Sequence, residues 1–213
     1  MTHIMGLLYA LWYDTAQSEG YYVESVLGFG QNRFESGRSI AFLGRTAISK
    51  HDGQDCFVSI NAGHDWVIDR WRFGPTTGIE YVFLHEEGYE EHGACAADLK
   101  IDSRNSDSLL SLLGFHLTRS FQLEKSVLTA ELRARWDHDY LTDSVPVHCR
   151  FIAAGSSFDI SGRDAAKDSV LLGTSLKAVF SKNITGYLDY DCMLQNSDGY
   201  KSHMFNVGLK VLF

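Results

Sequence analysis

The chain has 213 residues and a mass of 23.9 kDa, the size of a single domain. Acidic residues outnumber basic ones by 27 to 19, and the formal charge of -8 excludes the basic footprint of a nucleic-acid binder. Hydrophobic residues make up 45%, too many for a disordered tail. No uncharged apolar run reaches the roughly 18 residues of a membrane-spanning helix, so a helical membrane protein is excluded as well.

From the N-terminus, Met1-Thr2-His3 places no Lys or Arg ahead of the apolar stretch at 4–13, and no Ala-x-Ala follows it. Residues 7–14 therefore read as a first strand rather than a secretory signal, and any export signal is expected upstream. Alternation of apolar and polar residues marks further strands at 22–31, 57–67, 76–86 and 109–121. It is cleanest at 128–139, where Leu128, Ala130, Leu132, Ala134 and Trp136 oppose Thr129, Glu131, Arg133, Arg135, Asp137 and Asp139. A strand sends successive side chains to opposite faces, whereas a helix would scatter these charges all round. The pattern recurs where Val170, Leu172, Leu176, Ala178 and Phe180 oppose Ser169, Gly173, Ser175 and Lys177. Ile184, Leu188 and Tyr190 then oppose Thr185, Asp189 and Asp191, and Phe205, Val207, Leu209, Val211 and Phe213 oppose Asn206, Gly208 and Lys210. The reading is nine strands and no helix.

The connections alternate too. Short ones fall at 15–19, 69–71, 122–125 and 181–183, while long ones follow Phe34, Glu86 and Tyr140; only 196–199 is short on the long side. Alternation alone cannot tell inside from outside, because a soluble sandwich buries its apolar face and a membrane barrel turns it to lipid. The loop asymmetry favours an antiparallel transmembrane β-barrel. Glu24, Asp65, Glu80, Glu131, Arg133, Arg135, Lys177 and Lys210 are then expected to face a polar lumen. Trp12, Trp66, Trp71, Tyr81, Phe121 and Trp136 lie near strand ends, where aromatic girdles belong.

Specific chemistry is scarce. The four cysteines form no C-x-x-C pair and leave three disulfide pairings open, and the nine histidines lack H-E-x-x-H spacing, so no metal or cofactor is expected. Asp137, His138 and Asp139, with His85 and Glu86, are the one candidate acid/base cluster. Alternation points His138 away from the two aspartates, so no catalytic residue is assigned.

Several short motifs then occur in one order. Gly20-Tyr21-Tyr22-Val23-Glu24 opens a strand, and Gly88-Tyr89-Glu90-Glu91-His92-Gly93-Ala94 opens a loop. Ser108-Leu109 precedes Leu113-Gly114, Trp136-Asp137-His138-Asp139 closes a strand, and Arg150, Phe151 and Phe158 mark a further loop. Asp168, Leu172-Gly173 and Phe213 complete the series. In these residues, over nearly its whole length, the chain resembles the C-terminal translocator barrel of autotransporters, the type V secretion proteins of Gram-negative bacteria.

The resemblance implies an outer-membrane barrel of which about nine of twelve strands are present. Residues 1–213 would be a partial domain, without the first strands, the lumenal linker helix and the passenger. It implies that the four short turns are periplasmic. Its expected partners are outer-membrane lipid, the barrel-assembly machinery and its own passenger and linker. Phe205, Val207, Leu209, Val211 and Phe213 would form the C-terminal assembly signal. Cys95 and Cys149 would both lie in extracellular loops, where a bridge between them is conceivable. An outer-membrane enzyme with a rim Asp/His site, a porin or adhesion barrel that exports nothing, and a soluble all-β binder stay open as alternatives.

Overall fold

The computed structural model describes residues 2–14, 19–124, 126–153, 155–162, 166–196 and 201–212. In chain order its strands are β1 (Thr2–Tyr13), β2 (Gly20–Ile40), β3 (Arg45–Ile68), β4 (Trp71–Glu86), β5 (Tyr89–Glu90), β6 (Leu99–Ile101) and β7 (Arg104–Gln122). They continue with β8 (Val127–Asp139), β9 (Val147–Phe151), β10 (Phe158–Ile160), β11 (Asp168–Val179), β12 (Ile184–Gln195) and β13 (Lys201–Val211). Nine of them form one antiparallel sheet in the order β1-β2-β3-β4-β7-β8-β11-β12-β13, curled into part of a barrel. These are the nine strands expected from alternation. The sheet is open among the described residues, with β1 and β13 at its edges.

Pairing register sorts the side chains into two faces. Trp12, Val23, Ala62, Thr77, Leu113, Trp136, Val170 and Leu194 form one row across the sheet, and this face is apolar. The adjacent row on the other face is Leu11, Glu24, Asn61, Gly78, Leu112, Asp137, Ser169 and Gln195. Large apolar side chains such as Leu8, Ile60, Leu132 and Val207 stand exposed on the outward face, Val207 to 79%. Their burial needs a nonpolar solvent, because nothing among the described residues covers that face.

At one end the strands join by tight turns. Asp69 and Arg70 alone separate β3 from β4, with Asp69 in the left-handed region at φ 56°. Leu123 N–H donates to Ser126 O between β7 and β8, and Phe180 N–H to Ile184 O between β11 and β12. Positions 15–18 and 125 of the expected turns, and 197–199 of the short connection at the other end, lie outside the described residues.

The opposite end differs from the loops expected there. Instead of a long loop after Phe34, β2 and β3 run on as a hairpin to a 3₁₀ turn at Ala41–Leu43, closed by Gly44 at φ 60°. Polar cross-strand pairs carry this extension: Arg33 with Asp52 at 3.1 Å, Lys50 with Glu35 at 2.7 Å and Ser36 with Ser49 at 3.0 Å. The segments between β4 and β7 and between β8 and β11 contribute a small second sheet, β10-β9-β6-β5. Leu99, Ile101 and Cys149 form its core, packed by Tyr89, Val147 and Phe158. A bridge between Ile48 and His92, and a cluster of Ile40, Ala47 and Ala94, tie this crown to the hairpin. All four cysteines are free thiols: Cys149 is buried in the crown core, and Cys95 is exposed beside Arg45. The conceivable Cys95–Cys149 bridge is therefore not formed.

Candidate functional site

The inward face of the curled sheet encloses a cavity of about 470 Å³. Glu24, Asp65, Glu131, Arg133 and Arg135 line it, five of the eight charges singled out in the sequence. Glu80 shares their face through its pairing opposite Ser59 and Leu110. Lys177 lies on the same face between Thr129 and Tyr187, and Lys210 opposite Thr185.

Opposite charges meet across the strands. Arg133 on β8 donates from Nη2 to both carboxylate oxygens of Asp191 on β12, at 2.7 and 2.9 Å, reaching across β11. It can do so because Gly173 lies between them: a Cβ there would overlap both side chains. The same guanidinium reaches Glu131 at 3.4 Å. Arg135 forks onto Asp137 two residues along, at 2.6 and 2.9 Å. Asp65 on β3 meets His116 Nε2 of β7 at 2.8 Å and Arg72 of β4 at 3.7 Å. Paired, hydrogen-bonded charges of both signs make a surface that water wets without a strong net field.

Asp191, Arg72 and His116 carry this network, yet none was singled out as a site residue from the sequence. Asp191 was legible only as a member of a polar face. Arg72 fell beside an expected turn, and His116 inside a weakly alternating stretch.

The candidate acid/base cluster does not converge. Asp137 is 2% exposed, on the inward face, and engaged by Arg135. Asp139 accepts from Ser108 Oγ and the Leu141 N–H. His138 turns outward, where its Nδ1 lies 2.9 Å from Asp168 Oδ1, and Trp136 Nε1–H donates to the same oxygen at 3.0 Å. His85 is elsewhere, beside Asn105, while Glu86 binds Arg104.

The sequence model of the autotransporter beta-domain matches residues 2–191. The chain belongs to this family. It is similar to the outer membrane protein A of Rickettsia rickettsii and that of Rickettsia conorii, each 21% identical over 168 residues. Those matches take in 75% of this chain but 8% of either relative, so the chain spans under a tenth of the curated relatives it matches. Among solved structures, the translocator domain of the autotransporter NalP from Neisseria meningitidis superposes with a TM-score of 0.70 and 18% identity, over 99% of this chain and 66% of that one. The β-domain of the Bordetella autotransporter BrkA gives 0.62 and 18%, over 99% and 72%. At that identity the likeness is one of fold. The β-domain is thus one of the outer membrane of a Gram-negative bacterium, with the fold of the translocator barrels.

Proposed function

We propose that this β-domain anchors a passenger domain in the outer membrane and helps carry it to the cell surface, without catalysis of its own. The inverted polarity of the sheet carries the reading. The apolar face is directed outward, to lipid, and the paired charges face a wet interior through which an extended polypeptide can pass without binding tightly. The short-turn end lies in the periplasm and the crown at the cell surface. Residues 1–213 are one part of the domain: further strands cover the free edges of β1 and β13, since each unsatisfied backbone group in hydrocarbon costs several kcal/mol. The passenger and its linker belong to the rest of the protein. The test is protease shaving of intact cells expressing the native protein with an epitope in its passenger. Loss of the epitope, with a membrane-embedded β-domain left protected, is expected; an epitope that stays protected while the barrel is inserted would refute export.

The orientation has its own check. Cys95, exposed in the crown, is expected to react with a membrane-impermeant maleimide on whole cells. Cys149, 3% exposed and with its thiol pushed up by burial, is expected to stay unlabelled until the crown is unfolded. Labelling of Cys95 only after the outer membrane is breached would place the crown in the periplasm instead.

A further inference from the structure

On the outward face, charge is confined to the two ends of the sheet. β7 shows this directly, running from Asp107 through Leu109, Ser111, Leu113, Phe115 and Leu117 before the next outward charge, Arg119. The uncharged stretch 109–117 matches the 9–11 residues of a tilted membrane strand, roughly. Among the described residues, Arg119 is the single charged side chain that a strand turns outward at the short-turn end. The other outward positions there include Trp12, Tyr21, Trp66, Ile68 and Leu128.

Arg119 is also held in place. It pairs in register with Trp71 of β4, and its Cζ lies 4.6 Å from the Trp71 ring centroid and 5.0 Å from that of Phe121. Yet it has no anionic partner among the described residues. The carboxylates at this height, Glu131 on the adjacent β8 and Asp65 one strand beyond β4, face inward and are engaged by Arg133, His116 and Arg72, and the turn residues Asp69 and Glu124 form no ion pair with it. On its other side stands Ala130, whose small side chain leaves the guanidinium edge open. Toward the middle of the sheet follow Leu117, half-buried, and, opposite it, the exposed Leu132, an apolar strip on the outward face.

We propose that Trp71, Arg119 and Phe121 form a binding site for the phosphate of a membrane phospholipid headgroup. The proposal rests on the membrane reading above, in which this end meets the periplasmic leaflet. A planar guanidinium presents N–H donors in a fork that fits phosphate, and two rings restrict it to the headgroup level without neutralising it. Anion-binding rim and apolar strip together fit an amphiphile in one orientation, phosphate at Arg119 and acyl chain along Leu117 and Leu132. A free anion would use only the first.

Native mass spectrometry of the complete detergent-purified protein tests this with three probes: dioleoylphosphatidylethanolamine, dioleoylglycerol with the same chains but no phosphate, and inorganic phosphate. The wild type is expected to retain the phospholipid, and Arg119→Gln to weaken retention about tenfold. Arg119→Lys, which keeps charge but not the fork, should fall between. Dioleoylglycerol is expected not to be held, and inorganic phosphate neither to bind nor to displace the lipid. Equal retention by a folded Arg119→Gln protein overturns the site. Retention of dioleoylglycerol as strong as that of phospholipid does so through the wild type alone, should the variant fail to fold. Displacement by inorganic phosphate would assign a free-anion site instead. Failure of the membrane reading is distinguished by the protein entering the aqueous phase of a detergent partition.

Discussion

Replacing Glu91 by alanine is expected to open the crown to protease while leaving the membrane-embedded sheet assembled. Glu91 is 6% exposed and accepts from Arg38 Nε at 3.0 Å, from Arg38 Nη2 at 2.5 Å and from the Leu99 N–H at 3.0 Å. Arg38 in turn donates to Ala97 O at 2.8 Å. One carboxylate thus joins the hairpin of β2 and β3 to the start of β6. Its removal leaves the Leu99 N–H without a partner and an arginine facing only a carbonyl. A hydrogen bond to a charged group is worth about 1.5–3 kcal/mol. The two from the partly exposed Arg38 are discounted for solvent and the buried one from the Leu99 N–H is counted in full, which gives about 2 kcal/mol as a lower bound. That is roughly a thirtyfold larger population of open crown. Cleavage between 87 and 103 should accelerate in proportion when reclosing is fast. Glu90→Ala is the control, since Glu90 pairs with Lys100 in solvent and should change cleavage little. Equal cleavage of the two variants would mean that the apolar clusters alone hold the crown.

Physical pattern explains which parts of the fold could be read beforehand. In β8 and β11 one face meets hydrocarbon and the other water, so every second residue is constrained and alternation survives in the sequence. In the hairpin extension neither face meets hydrocarbon: Arg33 and Glu35 face water on one side, Ser36 and Arg38 meet the hairpin partner and the crown through polar groups on the other, and with no apolar period a strand there reads as loop. β5, β6, β9 and β10 are two to five residues long, too short to show any period. Their order follows from burying Leu99, Ile101 and Cys149, which come from two separate loops.

The inward charges were legible as a face but not as partners. Arg133 and Asp191 are 58 positions apart, and their meeting depends on the register of β8, β11 and β12 together. Alternation fixes which side a residue faces and says nothing about its height relative to the next strand. Gly173 illustrates the same limit: in sequence it is a weak point in a strand, and in the sheet it is the space that the Arg133–Asp191 pair occupies. Arg119 was invisible for the opposite reason. A charge near a strand end is commonplace, and only its position over Trp71, and the absence of an anionic partner among the described residues, distinguish it.

Phe213→Ala is expected to impair assembly into the outer membrane without weakening barrels that do assemble. Phe213 itself lies outside the described residues; the strand before it, β13, is paired on one side only, with β12. Phe205, Val207, Leu209 and Val211 all stand on its outward face and are exposed. An edge strand with a row of apolar side chains can add to another sheet before its own barrel closes, backbone bonds giving affinity and alternate side chains giving specificity. If β13 docks on the assembly machinery in this way, an aromatic anchor truncated to alanine costs about 2 kcal/mol or more, roughly thirtyfold in recognition. The alternative role for Phe213 is lipid contact, and the two roles separate experimentally. Lost recognition lowers the amount of heat-modifiable protein in the outer membrane and leaves the melting of the assembled fraction unchanged. Lost lipid contact leaves the amount unchanged and lowers the temperature at which the folded band disappears. Asn206→Ser, on the inward face of the same strand, should change neither. Normal assembly of Phe213→Ala with a lowered melting temperature would remove the signal from β13 and leave it an ordinary wall of the barrel.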